Sequence, residues 1–233
     1  LSDDQPVSDV SPGVTDSDEG PGWLPAIMAG TVLFGIIGFV MCGFTTWLLF
    51  QKRTEFAVRT LNAAYLPEIE QSLLSPEEKA DVLDQVSKLA KGMERGKFEN
   101  WQSAGILQRL QRTPVIAWGE LQAIESFAQK NADPDHAAEI SKQLSRLRKS
   151  VADGNGTSFD FEDVLKPVYV ADSSSPSGHR LKQPLDMASI GEVVTLAKLV
   201  ADREKVPDQT FPDVRIGAIV RDQIQSGTID GGF

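Results

Sequence analysis

The sequence predicts an all-α protein: one transmembrane helix, then a multi-helix soluble bundle and a C-terminal helix pair. Three observations carry this expectation. Residues 23–50 contain no Asp, Glu, Lys or Arg. The stretches that follow repeat apolar residues at intervals of three and four, the period of a helix with one buried face. Ser-Pro, Thr-Pro and Asp-Pro pairs at 75–76, 113–114 and 133–134 punctuate those stretches as helix starts.

Residues 1–22, rich in Ser, Asp, Pro and Gly and without apolar periodicity, are expected to form a disordered acidic tail. Asp3, Asp4, Asp9, Asp16, Asp18 and Glu19 carry six of the chain's excess negative charges, so the net −10 leaves −4 for the remaining residues. A mildly acidic remainder has no general field to gather phosphate backbones, and no nucleic-acid partner is expected. Leu1 suits translation from a non-AUG start codon, and so a bacterial source, as well as it suits a trimmed chain.

The run Trp23–Phe50 would make roughly 42 Å of helix at 1.5 Å per residue, against a hydrocarbon core of about 30 Å. A secretory signal would place basic residues before a shorter apolar core; here the preceding tail is acidic, and a retained span is expected. Trp23 and Trp47 sit near its two ends, where an indole buries its ring at headgroup level and keeps its N–H wet. Lys52, Arg53 and Arg59 follow the span and no cation precedes it. The positive-inside rule then puts the N-terminus outside and the C-terminal domain in the cytoplasm, which for a bacterium means an inner-membrane, single-pass protein. Thr31, Gly35, Gly38, Cys42 and Thr45 recur at spacings of four and three, a stripe of small residues along which a partner helix could pack, either a second copy or another subunit. Against this stands the general abundance of glycine in membrane helices. Cys42 is the only cysteine, which excludes an intrachain disulfide and a cysteine-based zinc site.

Residues 51–153 are expected to form the helical domain. Thr54–Leu74 reads as a helix with Phe56, Leu61, Tyr65, Ile69 and Leu73 on its apolar face and Pro67 as a kink. Ser75, Pro76 and Glu78 spell a cap, a first-turn proline and a capping-box glutamate for a helix that buries Val82, Val86, Leu89 and Met93 and stops at Gly96. A third helix over 99–111 carries Trp101, Ala104, Leu107 and Leu110. A fourth after Pro114 carries Trp118, Leu121, Ile124 and Ala128, and a fifth after Asp133 carries Ile140, Leu144, Leu147 and Val151 up to Gly154. Short connections favour antiparallel neighbours. Residues 154–189 lose the pattern and are expected to be a linker or loop, in which Leu165–Ala171 could be a strand without an obvious partner. Residues 190–233 close the chain as a helix pair, Ile190–Lys205 and Asp213–Gln225, separated by Pro207 and Pro212.

With its span, the start LSPEEKADVL and the late turn KVPDQTFPDV, the chain resembles a loose group of uncharacterised single-span bacterial membrane proteins with a helical soluble domain. That resemblance implies no catalytic residues.

Local chemistry is sparse. His136 and His179 stand at no metal-ligand spacing from each other or from Cys42. Asp160, Glu162 and Asp163 lack the alternating oxygens and closing glutamate of a calcium loop. The glycines at 154 and 156 follow a helix and lack the Lys-Ser/Thr ending of a phosphate loop. No catalytic residue, cofactor or metal is therefore expected, and no small-molecule substrate can be named. Lys142, Arg146 and Lys149, with Arg148 alongside, line up opposite the apolar stripe of the fifth helix, and Arg109 and Arg112 could come near them in the fold. They could meet lipid headgroups, or be a solvated face whose cations suit the helix C-terminus. The reading that follows is a non-enzymatic accessory or scaffolding subunit of a membrane complex. A regulatory transducer passing a signal through the helix after Arg53 is the alternative, and an enzyme whose active site leaves no local motif ranks third.

Overall fold

The computed structural model describes residues 23–173, 175 and 177–230; the acidic tail expected at 1–22 lies outside the described residues. The fold is all-α apart from one short β-hairpin among the described residues. The chain divides into two units, 1–48 and 49–233. In the first, α1 (Trp23–Gln51) runs through an apolar segment, Ile27–Leu48, that is long and apolar enough to cross a membrane and of which nothing is buried. Its end lies in the second unit, where the Arg53 guanidinium sits 3.5 Å from the centroid of the Phe50 ring.

The second unit opens with α2 (Arg53–Thr60), after a break in the helix at Lys52. A π-helical turn at Leu61–Tyr65 then leads to α3 (Leu66–Gln71). The expected kink at Pro67 is replaced by this wider turn: Pro67 has no N–H to give, and an i→i−5 turn just before it absorbs the missing bond and the ring's bulk. The buried face is Ala57, Leu61, Tyr65 and Ile69, each four residues after the last, whereas Phe56 and Leu73 are 58% and 51% exposed. The extra residue in the π turn takes up the drift that four-residue spacing would accumulate in an α-helix of period 3.6. The ends of the expected face therefore turn outward.

Helix α4 (Pro76–Glu94) buries Val82, Val86, Leu89 and Met93. Gly96 sits at φ +69 after it, with Lys97 N donating to Gly92 O at 3.0 Å and Gly96 N to Met93 O at 3.0 Å, a Schellman closure. Half of the expected capping box is rebuilt from elsewhere. Ser75 Oγ accepts from Glu78 N, but the Ser75 amide donates to Gln122 Oε1 at 2.9 Å, and Glu78 instead accepts from Gln122 Nε2 and from the Ile216 amide.

α5 (Asn100–Arg112) buries Ser103, Ile106 and Leu110, a face rotated from the expected one; Trp101 is 44% exposed and donates its indole N–H to Glu99. The rotation follows from α10 (Ile216–Asp230), whose Gly227 lies against the Ile106 backbone. α6 (Val115–Asn131) and α7 (Pro134–Ala152) bury the expected residues, and Asp133 caps α7 by accepting from the His136 amide at 3.0 Å.

The stretch expected as a linker is folded. α8 (Ser158–Leu165) starts on a capping box of Thr157 and Asp160 and buries Phe161, Val164 and Leu165. The Phe161 ring stacks on Trp118 with centroids 6.1 Å apart, and burying such a side chain is worth roughly 2–3 kcal/mol. A 3-10 turn at Lys166–Val168 leads to β1 (Tyr169–Ala171), which pairs antiparallel with β2 (His179–Leu181) in the register Tyr169 to Leu181. The strand thus has a partner, supplied by the residues around His179. α9 (Met187–Arg203) packs on α7, and α10 packs on α5 and α4, so both C-terminal helices belong to the one core. Lys205 closes α9 at φ 58, with Val206 N donating to Ala201 O at 2.9 Å.

Candidate functional site

A groove of about 520 Å³ opens between the C-terminal half of α4 and α10. Leu89, Gly92, Phe98 and Ile224 give it an apolar floor. Gly92 matters to that floor: a Cβ there would come within 2.8 Å of the edge of the Phe98 ring, which reaches the helix because no side chain stands in its way. Five cations, Lys88, Lys91, Arg95, Lys97 and Arg221, form the rim. Two of them are partnered at one end of the groove, Lys88 with Asp84 at 2.6 Å and Arg221 with Asp81 at 3.8 Å. Lys91, Arg95 and Lys97 are exposed and make no ion pair among the described residues. Gln85, in the same wall, donates to Asp81 and to Gly217 O while its Oε1 is buried without a partner among the described residues. The arrangement can bind an anion that also carries an apolar part. Four of its cations cluster in the sequence between 88 and 97, but only the fold brings Arg221 and Ile224 to them.

Comparison with protein-family models, with curated proteins and with solved structures finds no match to this chain. The reading of the site therefore rests on its geometry.

The basic residues of α7 do not form an open face. Arg146 is 2% exposed, and its guanidinium donates to Gln143 Oε1, Asp202 Oδ1, Val206 O and Pro207 O at 2.6–3.0 Å. It fastens the turn after α9 to α7, which the sequence could not reveal, because helical spacing locates a residue around its axis without saying what packs on that side. Lys142 pairs with Glu139 at 2.9 Å and Asp208 at 3.2 Å, and these hydrogen bonds raise its pKa. Lys149 pairs with Asp153 at 2.6 Å. Arg148 pairs with Glu125 at 2.8 Å and lies 5.6 Å from the Trp118 ring centroid, and Arg109 reaches Asp230 on α10. The headgroup contact expected at Lys142, Arg146 and Lys149 loses its central member to the interior.

On α1, Gly35 and Gly38 have nothing within 4 Å of where a Cβ would stand, and Cys42 is exposed. Thr31 and Thr45 donate their hydroxyls to Ile27 O and Met41 O, four residues back, at 2.9 and 2.8 Å. The stripe therefore offers close approach rather than free hydroxyl donors.

No residue pattern announces the half-buried trio Glu120, Tyr169 and His179. The Tyr169 hydroxyl donates to Glu120 Oε2 at 2.6 Å, and the His179 and Tyr169 ring centroids are 3.9 Å apart. Burial raises the Glu120 pKa against the lowering effect of the Tyr169 hydrogen bond and of His179, and burial followed by the Glu120 charge raises that of Tyr169. The trio ties the hairpin to α6. Asp160 is likewise committed, to Thr157 and to Arg203 at 2.6 Å.

Proposed function

We propose that the chain is a membrane-anchored helical interaction module, an accessory or scaffolding subunit of a membrane protein complex. The observation that carries the reading is α1: an apolar segment, Ile27–Leu48, with no burial of its own and an open line of small residues at Gly35 and Gly38. Apolar surface of this extent needs lipid or another helix against it. The cations at 52, 53 and 59 favour a cytoplasmic second unit by the positive-inside rule. In the bilayer, the stripe Thr31, Gly35, Gly38, Cys42 and Thr45 is the face for a partner helix, self or another subunit. The role requires no cofactor.

Purification of the full chain from membranes in a mild detergent tests this. A stoichiometric companion or a stable homo-oligomer is expected, and Gly35→Ile with Gly38→Ile should release it while leaving the chain in the membrane fraction. A monomeric chain that contacts only a transient soluble partner would favour the transducer.

A further inference from the structure

Three cations unpaired among the described residues, Lys91, Arg95 and Lys97, crowd one side of an apolar-floored groove in a chain of net charge −10. Between residues 88 and 97 four cations face a single carboxylate, Glu94. Like charges gathered in this way repel one another unless an anion sits among them. The groove's volume suits a small ligand or headgroup.

Position narrows the choice of anion. Glu94 accepts from Asn62 Nδ2 at 3.2 Å, and Asn100 accepts from Thr54 Oγ1 at 2.8 Å. The segment between them, with Arg95, Lys97 and Phe98, therefore runs back along α2 for about 12 Å, at 1.5 Å per residue, toward the turn where the chain enters from α1. Two aromatic side chains stand exposed near that same turn, Phe56 at 58% and Trp101 at 44%. Exposed aromatic side chains together with cations are the composition of a membrane interface.

We propose that this groove seats the phosphate headgroup of an anionic phospholipid. Lys91, Arg95 and Lys97 hold the phosphate, and Leu89, Phe98 and Ile224 underlie the glycerol and first acyl carbons. Clustered Lys and Arg side chains at a membrane surface attract acidic lipids by this chemistry. The assignment rests on α1 crossing the bilayer, and it moves the headgroup contact from α7 to α4.

The test uses the full chain in neutral detergent, titrated with phosphatidylglycerol, phosphatidylcholine or glycerol phosphate, with bound lipid read by native mass spectrometry. Phosphatidylglycerol should bind the wild-type chain and phosphatidylcholine should not. K91Q/R95Q/K97Q should weaken that binding on the order of a hundredfold, with an unchanged circular-dichroism spectrum because all three side chains are exposed. Equal binding of phosphatidylcholine overturns the proposal, as does a triple variant that binds like wild type. Glycerol phosphate binding as tightly as the lipid would also overturn it, in favour of a soluble phosphate ligand. Alkaline washing of membranes keeps the two readings apart: release of the chain defeats both, while retention with unchanged lipid binding by the variant defeats the groove alone.

Discussion

Gly119 decides how closely α6 approaches the turn between α3 and α4. A Cβ there would lie 2.5 Å from Leu74 N and 2.7 Å from Leu73 C, and backbone cannot swing aside as the tip of a side chain can. Gly119→Ala is expected to cost about 2–3 kcal/mol. The denaturant midpoint of the second unit, followed by circular dichroism, should fall with the slope unchanged. A midpoint equal to wild type would mean that the turn yields. Arg146 shows a different use of a single residue. With one guanidinium it satisfies two backbone carbonyls of the turn after α9 and pairs with Asp202, so a charge that reads as surface in the sequence serves as an internal clamp. Lys205, at φ 58 in the same turn, occupies a conformation that glycine would adopt without strain.

At the scale of elements, α9 begins at Asp186, which accepts from the Ser189 amide at 2.8 Å and pairs with Lys182 at 2.6 Å. The Lys182 hydrogen bond, then the Ser189 amide, pull the Asp186 carboxyl down to about 2 from an ordinary 3.8. A carboxyl held below its unfolded value stabilises the fold above that value and loses the contribution as pH falls through the folded one. The thermal midpoints of wild type and Asp186→Asn should therefore stand furthest apart above pH 3.8 and converge toward pH 2. A constant gap across that range would show that the carboxylate is not coupled to folding. Helix starts of this kind were legible where a capping side chain and a proline coincide, as at Ser75 and Asp133. So were the buried stripes of α4, α6 and α7, which lie on neighbours all along their length. The face of α5 was not, because its phase is set by Gly227 on a helix far along the chain. Of the hairpin only the strand within Leu165–Ala171 was; its partner around His179 shows no pattern of its own, and the pair is held by Tyr169 on Glu120. The groove was not legible either, because it is made by Ile224 and Arg221 meeting residues 85–98 from far along the chain.

The second unit behaves as one body of packed helices. Gln85 donates to Gly217 O, Gln102 to Thr228 O and Arg109 to Asp230, so α10 is tied to α4 and α5 along its whole length. Ile216, Ile219 and Val220 are buried in the same core as Trp118 and Phe161. A chain ending at Asp213 is expected to lose cooperative unfolding throughout the unit and to be cut rapidly by protease within α5. A truncated chain that still melts in one sharp transition would show that α10 folds as an appendage.

Cys42 gives the molecule a built-in address. It is the only thiol in the chain and projects, exposed, from α1 in line with Gly35 and Gly38. A nitroxide or fluorophore attached by thiol chemistry thus lands at one position on one helix, with no engineered site and no second label to subtract. In a pair of chains packed along that line the two probes would face each other across the seam, and the spacing between them becomes a ruler for the assembly.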